Sequence, residues 1–182
     1  GDESEQLGSF LGYKVDGNTI SAVYNHPDYV PLSYDVYRPA IIEVVYNSDV
    51  VIDEIPIAIY RAPVLFIHGL WGNGNAFNDM YNEFVENGVY TQANMFKVNY
   101  EPTNDLSFET NTFVVRENIN RLLDQVRGEK MAAGKVDVVA HSMGGMLTRL
   151  YLNNDIYRND VHKLITINTP HSGTQAANLL LE

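Results

Sequence analysis

Residues 138–145 read Val-Val-Ala-His-Ser-Met-Gly-Gly, an apolar run that ends in a serine and a pair of glycines. The run Val136–Ala140 has the length and composition of a strand buried on both faces. The residues after the serine, Met143–Leu152, predict a helix whose apolar stripe consists of Met146, Leu147, Leu150 and Tyr151. Ser142 therefore stands where a buried strand turns into a helix, with small residues, Ala140 and Gly144, two positions to either side.

This junction allows two interpretations. In the first, a sharp, strained turn lifts the hydroxyl of Ser142 out of the sheet as a nucleophile, and the N–H of Met143, at the helix N-terminus, stabilises an oxyanion. In the second, Ser142 is a helix N-cap and Gly144-Gly145 merely let the helix pack closely on the strand. A bare small-x-Ser-x-Gly pattern does not separate the two.

A second glycine-containing loop follows an earlier buried strand. Val64–Ile67 is a continuous apolar run, and His68-Gly69-Leu70-Trp71-Gly72 comes directly after it. A loop at the carboxyl end of a neighbouring strand can present a second amide to an oxyanion, and Leu70 is the best candidate donor. We expect His68 to be a structural residue bonded to the backbone rather than a general base, and His141 to have a packing role.

From Pro63 onward, strand-like and helix-like segments alternate. This alternation predicts an α/β fold, with a mostly parallel sheet that has helices on both faces. The predicted strands are Val64–Ile67, Met95–Tyr100, Val136–Ala140 and Leu164–Asn168. The predicted helices are Asn75–Glu86, Asn111–Arg127, Met143–Leu152 and a final one that begins in Thr174–Leu181; in the second, Val115, Ile119, Leu122, Leu123 and Val126 lie at helical spacing.

Residues 1–62 differ in texture from residues 63–182. Leu11–Asp16 and Thr19–Tyr24 flank the turn signal Asp16-Gly17-Asn18 and predict a hairpin. A stretch punctuated by Pro27, Pro31 and Pro39 is predicted to be irregular. Three short β segments follow, at Ile41–Tyr46, Val50–Ile55 and Ile57–Tyr60. We interpret residues 1–62 as an antiparallel β region that leads into the sheet and belongs to the same domain as residues 63–182.

These motifs resemble the lipase and esterase branch of the α/β-hydrolase superfamily. His68-Gly69-Leu70 looks like its oxyanion loop, Ala140–Gly145 like its nucleophile elbow, and Asn168–Thr174 is similar to a strand-end segment that many lipases carry. The first position of the elbow is Ala140 where the consensus has glycine, an alanine that some small bacterial lipases share. The likeness extends from about Pro63 to the C-terminus.

The resemblance implies a triad in the chain order serine, acid, histidine. Downstream of Ser142 the acids are Asp155, Asp160 and Glu182, and none is placed as a triad acid should be. His162 is expected at the wrong end of a strand. His171 lies on the right edge of the sheet, but in the lipases that this segment resembles its histidine is not the triad member, so we expect a structural or site-wall role.

If the fold follows the family, two more strand–helix units, about 60 residues or more, should come after Leu181. We therefore expect a C-terminally incomplete domain, with the triad acid and histidine missing from this chain. Either a further C-terminal segment completes the domain, the chain being a fragment, or another chain supplies the remainder. Because it lacks the triad acid and histidine, the chain by itself should be nearly inactive.

Composition limits the partners. Twelve Lys and Arg residues against 23 Asp and Glu residues give a formal charge of −11, so nucleic acid is not an expected partner. The absence of cysteine excludes disulfides and cysteine-bound metals, and we expect neither a cofactor nor a metal. No apolar run approaches the ~20 residues that span a bilayer. Few lysines with many Asn and Tyr residues favour a secreted or cell-surface protein, although a removed export signal cannot be read from this sequence.

The leading hypothesis is a hydrolase of carboxylic esters in which Ser142 is the nucleophile and the amides of Leu70 and Met143 hold the oxyanion. Leu70, Trp71, Met143 and Met146 could line an apolar acyl site, and Glu101–Asn111 could cover it, which favours a small-molecule or lipid ester substrate and transient contact with a lipid surface. The side chain of Met146 is also a candidate core residue. The alternatives are a non-catalytic binding module on a hydrolase-like scaffold and an acyltransferase or peptidase with the same elbow.

Overall fold

The computed structural model describes residues 8–25, 27, 30, 36–46 and 50–174. The chain divides into two compact units, residues 1–61 and residues 62–182. This division falls one residue before residue 63, where the sequence pattern is predicted to change from β segments to alternating strands and helices. That the two parts form one domain stays a prediction.

In the first unit, strands β1 (Ser9–Asp16) and β2 (Thr19–Asn25) pair antiparallel, with Asp16 opposite Thr19. Gly17, in the connecting turn, has φ of 57°, a conformation that glycine adopts at little cost. The predicted hairpin is confirmed.

A longer antiparallel pair follows, formed by β3 (Tyr37–Tyr46) and β4 (Val50–Tyr60). The sequence interpretation was wrong in two details: Pro39 lies within β3, and β4 continues through Pro56 where a break was predicted. In a ladder of two strands each strand has one outer edge, so a residue without an N–H is tolerated there. Among the described residues each hairpin is a sheet of its own, and neither adds a strand to the sheet of the second unit. Pro31 lies outside the described residues.

The second unit has a parallel four-stranded sheet in the order β6-β5-β7-β8. Its strands are β5 (Val64–Ile67), β6 (Met95–Lys97), β7 (Val136–His141) and β8 (Val161–Ile167). The predicted α/β fold class is therefore confirmed. β6 is shorter than predicted because the chain leaves the ladder after Lys97, and β8 begins three residues earlier than predicted, so that His162 lies within it.

The helices are α1 (Asn78–Glu86), α2 (Phe108–Gly128) and α3 (Met143–Leu152), with short 3-10 helices at Gly74–Phe77, Gln92–Asn94 and Glu101–Thr103. The predicted helix at Asn75–Glu86 is a 3-10 turn followed by α1. α2 begins three residues before its predicted start because the Ser107 side chain caps it, accepting a hydrogen bond from the N–H of Thr110. The predicted final helix lies outside the described residues, apart from Thr174.

Helices cover both faces of the sheet. α2 and α3 pack on the face that includes Leu65, Ile67, Val138 and Ala140, and α1 packs on the face that includes Val64, Phe66 and Val139. Burial on both sides explains why β5, at the centre of this packing, is a continuous apolar run. All five apolar positions predicted for α2 are buried: Val115, Ile119, Leu122, Leu123 and Val126. In α3, Leu147 and Tyr151 are buried, whereas Leu150, predicted for the same stripe, is exposed.

The strand order places a reversal of the chain between β5 and β7. From β5 the chain moves outward to β6, then crosses back to β7 on the other side of β5 and continues to β8. In open α/β sheets, ligands bind at such a switch point, outside the carboxyl ends of the strands. No helix in the described part of the chain is long and apolar enough to cross a membrane.

Candidate active site

Ser142 occupies the carboxyl end of β7, at the switch point, in a strained backbone conformation. Its φ and ψ are 50° and −121°, a region that residues with a side chain rarely adopt. The residue is half-buried, and its side chain makes no capping hydrogen bond to α3. The N-cap interpretation requires that bond, so the Ser142 hydroxyl does not cap α3.

The glycines around Ser142 are required by close contacts. A Cβ on Gly144 would lie 2.5 Å from the carbonyl oxygen of Ile67 and 2.6 Å from that of His68. A Cβ on Gly145 would collide with the side chain of Thr169. α3 can therefore begin against the ends of β5 and β8 only if Gly144 and Gly145 lack side chains.

The loop after β5 runs directly against Ser142. A Cβ on Gly69 would lie 2.8 Å from the Cβ of Ser142. The N–H of Gly72 donates to the carbonyl of Gly69 at 3.1 Å, which closes a tight turn with Leu70 and Trp71 at its tip. Trp71 is 73% exposed and has φ of 55°. The two predicted motifs thus meet at the switch point.

The two candidate oxyanion donors flank this meeting point. Leu70 is half-buried, and in the described part of the chain its N–H makes no backbone hydrogen bond. Met143 is the first residue of α3, so its N–H has no partner within the helix. Both amides belong to residues that directly follow the close contact between Gly69 and Ser142.

His68 is fully buried and bonded to the backbone, as predicted. Its Nδ1 lies 2.9 Å from the carbonyl oxygen of Gly69, and its Nε2 lies 3.3 Å from the N–H of Tyr100. A carbonyl can only accept and an N–H can only donate, so the ring is neutral with its proton on Nδ1. Burial lowers the pKa of His68, although the hydrogen bond to Gly69 and the charge of Glu101 oppose that shift. His68 is not available as a base.

Tyr100 and Asn104 hold this loop from the side of β6. The Tyr100 hydroxyl donates to the carbonyl of His68 at 2.6 Å, and the rings stack with centroids 4.1 Å apart. Burial raises the pKa of Tyr100, so its hydroxyl stays a donor. Nδ2 of Asn104 donates to the carbonyl of Gly72 at 3.1 Å. The motifs did not indicate either residue; the only sequence signal was that Tyr100 ends the predicted strand Met95–Tyr100 and that Asn104 lies in the segment after it.

The segment after β8 holds Ser142 from the other side. The Thr169 hydroxyl donates to the carbonyl of Ser142 at 3.0 Å. Nδ1 of His171 lies 2.9 Å from Arg149 Nη1, which can only donate, and Nε2 lies 3.1 Å from the Thr166 hydroxyl. Both ring nitrogens are therefore occupied, and the predicted structural role of His171 agrees with these contacts.

The remaining downstream candidates lie at the amino ends of the strands. His162 pairs with Asp137 at 2.8 Å. Asp160 directly precedes β8, and its two carboxylate oxygens lie 2.7 and 2.8 Å from the hydroxyl of Tyr151, which donates its one proton to them. Asp155 lies in the connection from α3 to β8. None of the three is at the edge where Ser142 lies. Glu182 is outside the described residues.

The residues predicted from the sequence therefore fall into two groups, those that the fold brings to one edge of the sheet and those that it places elsewhere. The fold brings Ser142, Leu70 and Met143 to one edge of the sheet, whereas the Ser142 hydroxyl makes no hydrogen bond to a described histidine, His141 included. Within the described ranges, no group of three or more His, Asp or Glu side chains could hold a metal ion. What this arrangement offers is a half-buried serine, whose hydroxyl does not cap α3, beside two glycine-containing backbone turns.

A parallel sheet between helices, with a strained serine at its switch point, defines the class of the protein as an α/β hydrolase. The comparisons then give the family. The chain belongs to the family of the PGAP1-like alpha/beta domain, whose profile matches residues 59–179.

A deacylase and a lipase are among the similar proteins. The chain is 25% identical to GPI inositol-deacylase of Mus musculus over an alignment 176 residues long, and the match covers 89% of this chain and 19% of the mouse protein. Among solved structures it is similar to Bacillus licheniformis lipase BlEst2 in its mature form, with a TM-score of 0.53, 28% identity, and coverage of 66% of this chain and 46% of the lipase. The propeptide form of that lipase gives a TM-score of 0.52 and 29% identity, over 65% of this chain and 24% of the other. The chain thus spans less than half of each of these proteins.

Proposed function

We propose that this chain carries the nucleophile and the oxyanion site of a serine hydrolase that cleaves carboxylic esters. The observation that carries the proposal is the conformation of Ser142: it is strained, its hydroxyl does not cap α3, and it lies against the Gly69–Leu70 turn. Strain of this kind costs on the order of 1–3 kcal/mol and persists at functional sites, where it presents a reactive group.

In the proposed reaction, Ser142 Oγ attacks the carbonyl carbon of the ester and its proton passes to a base. The N–H groups of Leu70 and Met143 stabilise the oxyanion of the tetrahedral intermediate. The intermediate collapses, the alcohol leaves with a proton, and water then releases the acid from the acyl-enzyme by the same steps in reverse.

The proposal assigns the base and its acid partner to residues outside the described ranges. Among the described histidines, His68 and His171 have both ring nitrogens occupied and His162 is paired with Asp137. A serine without a base retains only the acceleration that the oxyanion site and binding supply.

We assign the substrate to the fatty-acyl esters of lipids. Trp71, on the turn that begins with Gly69 beside Ser142, is exposed, and Leu106 is exposed on the turn whose Asn104 donates to the carbonyl of Gly72. Met143, next to Ser142, is half-buried. These side chains offer apolar area to an acyl chain at the mouth of the site. The names of the similar proteins, a lipase and a GPI inositol-deacylase, support an acyl ester of a lipid.

A fluorophosphonate probe tests the nucleophile in the complete protein. We expect the wild type to be labelled, Ser142→Ala to be unlabelled, and Ser172→Ala, which changes an exposed serine in the nearby loop, to be labelled as the wild type. Labelling that persists in Ser142→Ala would show that the assignment is wrong. A folded wild type that takes no label would favour a binding module.

Hydrolysis of p-nitrophenyl esters of short and long fatty acids, measured beside a peptide substrate and an acyl-acceptor alcohol, tests the reaction class. The proposal expects ester hydrolysis that depends on Ser142 and increases with acyl length. Cleavage of the peptide alone, or transfer to the alcohol without net hydrolysis, would instead support a peptidase or an acyltransferase.

A further inference from the structure

The segment Ile167–Thr169 holds Ser142 through both of its peptide groups. On one side the N–H of Ser142 donates to the carbonyl of Ile167 at 2.9 Å; on the other the Thr169 hydroxyl donates to the carbonyl of Ser142 at 3.0 Å. Asn168, between the two contacts, has φ of 49°. The chain thus bends sharply after β8, and the bend lets one short segment reach both sides of one residue.

The carbonyl of Ser142 and the N–H of Met143 belong to the same peptide group. A trans peptide group is planar, so its C=O and N–H point in opposite directions and a contact that fixes one end fixes the other. Within α3 the N–H of Gly145 also donates to this carbonyl, at 3.1 Å. The hydrogen bond from Thr169 reaches the same carbonyl from a second direction. The two bonds together leave the peptide group between Ser142 and Met143 little freedom to rotate.

The position of Thr169 is itself well determined. Its side chain fills the space beside Gly145, where any Cβ would collide with it. Its carbonyl accepts from the N–H of His171 at 2.9 Å, and the His171 ring is held by Arg149. The hydroxyl is therefore presented to Ser142 from a packed and hydrogen-bonded turn.

We infer that Thr169 is a positioning residue of the active site, whose hydroxyl sets the direction of the Met143 N–H as an oxyanion donor and keeps Ser142 in its strained conformation. This inference rests on the proposed function. Thr169 does not touch the substrate; it acts through the peptide group between Ser142 and Met143.

Thr169→Val and Thr169→Ser separate the hydroxyl from the methyl group. Valine keeps the shape and removes the donor, and the Ser142 carbonyl still accepts from Gly145, so no buried acceptor is left without a partner. Serine keeps the donor and removes the methyl group. The matched control is Thr148→Val, which removes a buried hydroxyl that donates to the Gly144 carbonyl at 2.8 Å, one turn along the same helix.

The complete protein is assayed for its rate of labelling by the fluorophosphonate, for kcat and KM with a p-nitrophenyl ester, and for melting temperature. We expect Thr169→Val to lower the labelling rate and kcat about 10- to 100-fold with little change in KM, because a misdirected donor acts on the transition state. Thr169→Ser and Thr148→Val should stay within about threefold of the wild type, since each keeps the donor to Ser142.

A labelling rate of Thr169→Val equal to that of the wild type would overturn the inference. So would equal losses in Thr169→Val and Thr148→Val that follow equal falls in melting temperature, because that pattern reports packing alone. Both results leave the nucleophile in place. If Ser142→Ala and the wild type behave alike toward the probe, the proposed function itself is wrong, and the role of Thr169 falls with it.

Discussion

Ser142 combines a side chain with a backbone conformation suited to glycine. Its φ of 50° and ψ of −121° are held by neighbours on both sides, the carbonyl of Ile167 and the hydroxyl of Thr169. The surrounding contacts therefore offset a local cost of on the order of 1–3 kcal/mol. At this position we expect that keeping a hydroxyl lowers the stability of the protein, because glycine would relieve the strain but lacks the hydroxyl.

Ser142→Gly should be more stable than Ser142→Ala. Both variants lack the hydroxyl, but only glycine relaxes the strain at positive φ, and we expect a net difference of about 1 kcal/mol after the larger chain entropy of glycine is counted. Urea unfolding of the two variants measures it. At Ser172, which is exposed and not at positive φ, the same pair should show no advantage for glycine. If Ser142→Ala is as stable as Ser142→Gly, or more stable, the backbone of residue 142 is not strained.

His68 gives stability a dependence on pH. Burial holds its pKa below the ordinary value of 6.5, so as the pH falls below that value the unfolded chain takes up the proton first. The contribution of His68 to the free energy of unfolding should therefore be complete above pH 6.5 and decrease as the pH falls from 6.5 to the lowered pKa. Below the lowered pKa it should no longer change with pH.

Urea unfolding at about pH 7 and about pH 5 measures this contribution of His68, as the difference between the wild type and His68→Gln. The slope that this one residue adds is at most about 1.4 kcal/mol per pH unit. His68→Gln, which cannot titrate, should have a flatter profile even if it is less stable at every pH. Parallel profiles would mean that His68 is protonated equally in the folded and unfolded states.

At the scale of the elements, the site depends on how closely α3 approaches the end of β5. The start of the helix rests on the carbonyls of Ile67 and His68, and only a residue without a side chain fits at Gly144. Tyr100 and Asn104, which follow β6, fix the opposite side of the same loop. Three neighbouring strand ends therefore cooperate in holding one turn beside Ser142.

Gly144→Ala should destabilise the protein by about 2 kcal/mol or more, because its Cβ would meet two backbone carbonyls that cannot rotate away. Thermal unfolding measures the effect. Gly128→Ala is the matched control: it lies at the end of α2 with open space around it, and there alanine should not reduce stability. Equal melting temperatures for the two variants would show that α3 does not need this close approach.

At the scale of the whole molecule, the family domain occupies residues 59–179 and contains the strained serine and the turn beside it. The chain spans 19% of the mouse deacylase and 46% of the mature lipase. From its charge of −11 we predict that nucleic acid is not a partner. The base, the acid and contact with a lipid surface stay predictions for the whole protein.

The sequence by itself determined the class of fold and the position of the nucleophile candidate. Buried parallel strands need continuous apolar runs, and a strand that turns sharply into a helix needs small residues around the turn, so Val64–Ile67, Val136–Ala140 and Gly144 were visible as local patterns. It could not foresee that β4 passes through Pro56, because tolerance of a proline depends on whether the strand edge is paired.

Only the tertiary structure showed the strained backbone of Ser142 and the missing capping bond, on which the proposed nucleophile rests. Both features follow from contacts with residues distant in sequence, Gly69 and Thr169. Local patterns carry no information about such contacts, because sequence spacing does not show which strand ends become neighbours. The strand order β6-β5-β7-β8 shows which strand ends are neighbours. It brings the turn at Leu70 and the bend at Thr169 to opposite sides of Ser142.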